Sequence, residues 1–298
     1  MNLVDLVAAK RSLGHTISVC LPARNEAATV AEIVREVRGQ LADPEVGGAG
    51  LVDEIVVLDD NSTDATSVVA RAAGARVVAE SSVLPEAGPG SGKGNALWKS
   101  LHACTGDLLC WLDADLRNFR ADAVTRLVEP LIADSDTVLV KASYNRSFEG
   151  APTGGGRVTE LVARPLMSLL FPKLADVVQP LGGEYAARRD ALEVLPFVEG
   201  WGVELGLLID VVERFGRDAV AQVDLGTRAH RNRPVDELAA QSLAIIATAL
   251  RRADLMHFDG PTLELLRYDL AGNVDAEQVE IRERPPITTI PAYRALHP

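Results

Sequence analysis

The sequence predicts an α/β fold built on a mainly parallel, Rossmann-like sheet flanked by helices. Three observations carry that expectation. Short β-rich runs alternate with segments of helical period through the first half of the chain. The second and fourth of these runs, at Glu54–Leu58 and Asp107–Leu112, are apolar almost throughout rather than alternating, the pattern of strands buried on both faces. The chain's 298 residues, 47% of them apolar and 24% charged, can build a large core without disulfides or a structural metal.

The elements follow in order. Thr16–Pro22 is a β-rich run ending at a proline, and Glu26–Val37 then sets Val30, Ile33, Val34 and Val37 on one helical face. Glu54–Leu58 is the second strand, and Ser62–Thr66 offers capping chemistry for a helix through Ala73. Ala75–Ala79 makes the third strand, followed by a helix over Gly94–Leu101. Asp107–Leu112 is the fourth strand, Ala121–Leu131 a helix and Thr137–Lys141 the fifth strand. The second half is less regular. A glycine run, Gly154–Gly156, leads into an amphipathic segment over Val158–Leu170. A block at Gln179–Tyr185 precedes a helix around Gly202–Phe215, a strand near Ala219–Leu225 and a helix over Val235–Arg251. The Pro- and charge-rich stretch from Asn273 to Pro298 is expected to wrap the surface or a partner subunit. No repeat and no Gly/Ser linker divides the halves, which are expected to share one sheet.

Composition narrows the function. Thirty Lys and Arg against forty-two Asp and Glu leave a net charge of −12, with no basic excess to displace phosphate counterions. Aromatics are 4%, too few for base-stacking platforms, so nucleic acid is excluded as a partner. Cys20, Cys104 and Cys110 lie in apolar runs without a C-x-x-C pattern, which fits reduced, buried thiols and no zinc site. The N-terminus lacks the basic-then-apolar pattern of a signal peptide. The longest uncharged apolar stretch, Leu238–Leu250, is short of the ~20 residues that span a bilayer. No membrane association and a cytoplasmic location are expected.

Parallel α/β sheets bind ligands at the carboxyl ends of their strands. Pro22-Ala-Arg-Asn-Glu26, Asp59-Asp-Asn-Ser-Thr-Asp64 and Asp113-Ala-Asp115 fall there, and Gly90-Ser-Gly-Lys-Gly94 opens a helix. Taken singly, Asp and Asn at strand ends are ordinary turn and capping residues. The Gly-Lys element is no P-loop, because Ala87 stands at the first glycine position and Gly94 follows Lys93. The dinucleotide G-x-G-x-x-G spacing also fails after Gly92.

The order P-A-x-N-E, D-x-x-S-T-D, G-K-G-x-A-L-W and D-x-D resembles a GT-A glycosyltransferase that uses a nucleotide sugar. The later blocks, Gly154–Pro165, Gln179–Ala186, Gly200–Glu204, His230–Pro234 and Arg284-Pro-Pro286, are similar to the actinobacterial glucosyl-3-phosphoglycerate synthases. That resemblance implies the GT-A fold and a metal-dependent, retaining transfer of glucose from UDP-glucose to 3-phosphoglycerate by a homodimer. It also implies roles for individual residues. Pro22, Ala23, Asn25, Glu26, Asp60, Lys93 and Asp113 would hold the uridine nucleotide, and Asp115 with His230 would ligate Mg2+ or Mn2+. Glu204 would be the catalytic carboxylate, and Gly156, Arg157, Thr159 and Asn232 would bind the phosphoglycerate. Residues 1–251 would form one catalytic domain, with a nucleotide-sugar half over about 16–142 and an acceptor half over 143–251. Residues 252–298 would form a C-terminal helix and extended tail.

The chemistry of these residue types agrees. A sugar diphosphate is densely anionic, and a divalent ion on a hard carboxylate offsets that charge. Backbone amides at a helix start near Gly156 suit an acceptor phosphate, and Arg157 can add a bidentate contact. Arg24, Ala114 and Trp201 depart from the residues this family often carries. Alternatives are a related transferase using GDP-mannose, GDP-glucose or another small phosphorylated acceptor, and a non-catalytic nucleotide-sugar-binding protein. A nucleotidyltransferase would need a Gly-rich loop ahead of Pro22, and none is present.

Overall fold

The computed structural model describes residues 1–42, 44–148, 151–154, 156–228, 234, 237–268 and 271–296. The chain opens with α1 (Leu3–Leu13), a helix ahead of the elements expected from the sequence. Asn2 caps it by accepting the Asp5 N–H at 2.9 Å, and Gly14 ends it in the left-handed region at φ 71°. The β-α alternation follows as expected: β1 (Ile17–Ala23), α2 (Val30–Val37), β2 (Glu54–Asp59), α3 (Thr66–Ala73), β3 (Arg76–Ala79), α4 (Gly92–Ala103), β4 (Leu108–Trp111), α5 (Asp122–Ala133) and β5 (Leu139–Phe148). The second half adds β6 (Ala151–Gly154), α6 (Arg164–Leu170), β7 (Tyr185–Arg188), α7 (Arg189–Leu192), β8 (Phe197–Val198), α8 (Val203–Phe215), β9 (Val220–Arg228) and α9 (Leu238–Arg252).

Among the described residues, one eight-stranded sheet runs β3-β2-β1-β4-β7-β5-β6, with β9 beside β5. The pairs β2–β3, β1–β2, β1–β4 and β5–β9 are parallel, so the expectation of a mainly parallel α/β sheet holds. Strands from both halves of the chain share this sheet. The strand β7 is the exception at its centre, antiparallel to both β4 and β5.

Alternate residues of each strand serve separate cores. Val19 and Leu21 of β1 and Cys110 of β4 face α2, α3 and α5, which contribute Ile33, Val34, Ala70 and Leu127. Cys20, Leu58 and Trp111 face the opposite way, where α4 and α8 bring Leu97, Trp98 and Leu208. Helices on both faces explain why these strands are apolar throughout.

The segment after Arg252 differs from the helix and extended tail expected of it. It forms an antiparallel hairpin of β10 (Thr262–Tyr268) and β11 (Val274–Glu280). The strand β12 (Glu283–Arg284) then pairs with β8, and α10 (Pro291–Leu296) follows. Val279, Ile281, Arg284, Ile287 and Tyr293 are buried, so the stretch is anchored in the core at intervals while most of its described residues lie on the surface.

Candidate active site

The carboxyl ends of β1, β2 and β4 lie along one edge of the sheet. Because β7 runs the other way, its amino end arrives at the same edge and brings Gly183, two residues ahead of β7, to Asp113, two residues past β4. A cleft of about 490 Å³ opens there. From the first half of the chain it is lined by Pro22, Ala23, Glu26, Asp60, Lys93, Asp113 and Asp115. From the second half it is lined by Gly156, Arg157, Thr159 and Glu204. His230 and Asn232 lie outside the described residues.

Asn25 does not line this cleft. It sits in the left-handed region at φ 59°, which asparagine tolerates. Its N–H donates to Ser62 Oγ at 3.0 Å, and its Oδ1 accepts the Thr63 N–H at 2.8 Å. Asn25 thereby ties the loop after β1 to the loop after β2. Within Ser62–Thr66 it is Asp64 that serves the first turn of α3, by accepting the Thr66 N–H at 2.9 Å. Thr66 Oγ1 in turn accepts the Glu26 N–H at 2.8 Å. Asp60 is set at the mouth of these joined loops, 3.7 Å from Arg24. Burial pushes its carboxyl above the usual range, and the Arg24 guanidinium opposes that shift.

Lys93 is the centre of the charge arrangement. Its Nζ donates to Asp113 Oδ1 at 2.6 Å and lies 3.0 Å from Glu204 Oε1. Burial alone would lower its pKa, but the two carboxylates hold the ammonium well above the usual lysine range. Close helix packing delivers it there. A Cβ on Gly94 would stand 1.8 Å from the Val198 carbonyl oxygen, so only glycine lets the start of α4 approach β8 this closely. Glu204 enters from the first turn of α8 and is buried. Tyr185, at the start of β7, is also buried, and its hydroxyl has no hydrogen-bond partner among the described residues. Burial and the nearby Glu204 raise that phenol well above its ordinary value.

Gly183 makes the Lys93–Asp113 pair sterically possible. A Cβ there would lie 2.2 Å from both Asp113 Oδ1 and Lys93 Nζ. Gly183→Ala should therefore push apart the ends of the Lys93 and Asp113 side chains, which can move at little cost to stability, and weaken nucleotide binding. Nucleotide titration would check this, with unchanged affinity counting against the packing argument.

On the opposite wall, Gly156 turns the chain at φ 76° into a helical stretch that begins at Arg157. The turn over Thr159–Ala163 is wound as a π-helix just ahead of Pro165, which has no N–H to extend the regular ladder. Arg24, Leu181, Trp201, Leu238 and Gln241 also line the cleft. Arg24 and Trp201 stand inside the sequence motifs and could have been found there. Gln241 sits on the helix α9, within no motif.

Among the described residues, no three His, Cys, Asp or Glu side chains cluster closely enough to hold a metal. The donor chemistry nonetheless suits a hard divalent cation. Glu26, Asp60, Asp113, Asp115 and Glu204 outnumber Arg24, Lys93 and Arg157 around the cleft. A diphosphate entering so acidic a site needs further positive charge, and Asp115 offers a hard oxygen for it.

Comparison with known proteins agrees with this geometry. Residues 18–195 match the family described as Glycosyl transferase family 2. The glucosyl-3-phosphoglycerate synthase of Mycolicibacterium smegmatis is 46% identical over 97% of this chain and 94% of its own length. That of Mycobacterium tuberculosis is 51% identical over 84% of this chain and 77% of its own. A crystal structure of the M. tuberculosis enzyme with Mn2+, UDP-glucose and phosphoglyceric acid superposes with a TM-score of 0.85 at 46% identity. It covers 97% of this chain and 95% of that one. A second structure of that enzyme holds Mg2+ and UDP, with the same TM-score and identity, covering 97% of this chain and 96% of that one.

Proposed function

Because the chain belongs to glycosyl transferase family 2, and within it to the glucosyl-3-phosphoglycerate synthases, we propose that it moves glucose from UDP-glucose to the hydroxyl of 3-phosphoglycerate with retention of configuration. Its fold is the GT-A arrangement that the sequence motifs led us to expect. One observation carries the reading of the site. Pro22, Ala23, Glu26, Asp60, Lys93 and Asp113, expected to hold the donor, and Gly156, Arg157 and Thr159, expected to hold the acceptor, come from separate segments of the chain and line a single cleft.

In this reading Pro22, Ala23, Glu26 and Asp60 receive the uridine nucleotide, while Asn25 shapes the loops around it. Asp115 and His230 would hold Mg2+ or Mn2+, which when bound would offset the negative charge that builds on the departing diphosphate. Lys93 adds a fixed cation to the same region, kept in place by Asp113 and Glu204. Glu204 presents its carboxylate to the anomeric carbon, where positive charge develops as the glycosidic bond breaks. The departing diphosphate oxygen takes the acceptor's proton on the same face of the sugar, so no separate base is needed. Gly156, Arg157, Thr159 and Asn232 hold the phosphoglycerate.

The test is a transfer assay. Purified protein with Mg2+ or Mn2+ and 3-phosphoglycerate is offered UDP-glucose, GDP-glucose and GDP-mannose in turn, with product masses read out. A glucosyl-3-phosphoglycerate mass from UDP-glucose is expected, and a mannosyl product or no product would overturn the reading. Arg157→Ala removes a charge-assisted contact to the acceptor phosphate, worth roughly 1.5–3 kcal/mol. The KM for 3-phosphoglycerate should rise about tenfold or more, with donor binding little changed. Unphosphorylated glycerate serving equally well would refute the anion site.

No helix among the described residues is long and apolar enough to cross a membrane. A cytoplasmic location and a homodimer complete the proposal, and the dimer can be checked by light scattering.

A further inference from the structure

Arg284, far along the chain from the cleft, is 5% exposed, and its partner Glu199 is 0% exposed. Their charged groups meet at 2.6 Å. The guanidinium has further partners on the loop that leads into α4 and on α4 itself. Its Nη1 donates to the Ala87 carbonyl at 2.7 Å, its Nη2 to the Gly88 carbonyl at 3.1 Å, and its Nε to Asn95 Oδ1 at 2.9 Å. Glu199 also reaches the loop, accepting the Ser91 N–H on its Oε2 at 3.2 Å. The backbone completes the joint, since β12 pairs with β8 and the Glu199 N–H donates to the Arg282 carbonyl at 2.8 Å.

Two chain segments meet at this point, and each bears a charged group of the cleft. Ser91 is followed within two residues by Lys93. Glu199 is followed by a 3-10 turn, Gly200–Gly202, that ends at the first turn of α8 and Glu204. Where the segments touch they are glycines. A Cβ on Gly92 would lie 2.9 Å from the Gly200 Cα, and both have positive φ. Neither can lock the other through a side chain. Ser91 makes no side-chain capping bond to α4, so the Glu199 carboxylate at that amino end also complements its exposed N–H groups.

We propose that the Arg284–Glu199 pair is a positioning brace that fixes the spacing between Lys93 and Glu204, and so sets the turnover rate without touching substrate. A planar guanidinium suits this task better than a lysine, because its fixed fork donates to two carbonyls and an amide oxygen while its charge stands 2.6 Å from the Glu199 carboxylate. The proposal rests on the transferase reading above, and the experiment separates the two.

Wild-type protein is assayed first. If it transfers no sugar, the transferase reading fails, and the brace fails with it. If it transfers, Arg284→Gln, Arg284→Lys and Glu199→Gln are compared by kcat, by KM for 3-phosphoglycerate and by thermal unfolding. The acceptor groups Gly156, Arg157 and Thr159 lie outside the brace, so acceptor KM should stay within about twofold. Misplacing reacting groups by around 1 Å can lower rates about a hundredfold, so kcat per folded molecule should fall roughly ten- to a hundredfold in the two glutamine variants. Arg284→Lys should recover part of the loss. A folded Arg284→Gln enzyme with near-normal kcat would overturn the brace, as would a loss confined to acceptor KM. If neither glutamine variant folds and binds acceptor, the pair is structural and the positioning role is refuted.

Discussion

Asp115→Ala is expected to lower sugar transfer by about a thousandfold or more. Charge stabilisation by a bound divalent ion contributes several kcal/mol, and each ~1.4 kcal/mol is a factor of ten in rate. The other anionic groups of the cleft do not replace Asp115. Asp113 is engaged at 2.6 Å by Lys93, and Glu204 stands 3.0 Å from the same ammonium. Without Asp115 the diphosphate would face those carboxylates with its own charge uncompensated. The measurement is transfer rate against metal concentration, together with a titration of Mn2+ followed by its paramagnetic resonance. Metal binding should weaken in parallel with the rate. His230→Ala should be the milder change, partly recovered in excess Mn2+. Full activity of either variant in EDTA would remove the metal from the site.

Glu204→Gln should reduce kcat by roughly two orders of magnitude, the range seen when an electrostatic stabiliser of a transition state is removed. The amide is close to the carboxylate in shape and can still accept from Lys93, so the buried position at the start of α8 should tolerate it. Nucleotide affinity should change little, because the charge it opposes develops mainly in the transition state. The product should carry an α-linked glucose, like the donor. A β-linked product, read from the anomeric coupling constant, would exclude retention. A normal kcat in Glu204→Gln would leave the carboxylate with only a helix-capping role.

The first half of the fold was legible because β1, β2 and β4 are rich in apolar residues buried on both faces, which sets them apart from the helical segments between them. The strand β7 was not. Tyr185-Ala-Ala-Arg188 has two alanines, weak strand formers, and its place is decided by burial between β4 and β5 rather than by local preference. The helix α1 carried readable caps in Asn2 and Gly14, but only Leu6, Val7 and Lys10 are buried along it, which leaves a faint apolar stripe. The β10–β11 hairpin was hidden by its charge, although Gly272, at φ 83°, marks the turn.

The site divides the same way. Carboxylates at strand ends could be placed in the cleft from sequence, since the edge of a parallel sheet dictates where they point. Residues acting through contact could not. Asn25 reads as a ligand-binding residue from its motif, and its bonds to Ser62 and Thr63 on the neighbouring loop could not be read there. The demand for glycine at 183 depends on the direction of β7, which no local pattern announced. The Lys93–Glu204 pair joins α4 to α8, a tertiary contact no motif spacing encodes.

The pairing of β12 with β8 also bears on the order in which the molecule is made. Arg284 and Asn95 are 189 positions apart, so the loop ahead of Lys93 meets its last support only when that late strand has left the ribosome. At roughly 5–20 residues per second, the sheet strands β1 to β4 can pair many seconds earlier. The nascent chain should therefore hold a formed nucleotide-facing sheet while Lys93 and Glu204 are still unfastened, and competence for transfer should lag behind secondary structure. Refolding followed in parallel by far-ultraviolet dichroism and by regain of turnover would display that lag, and closure of so long a loop would set its length.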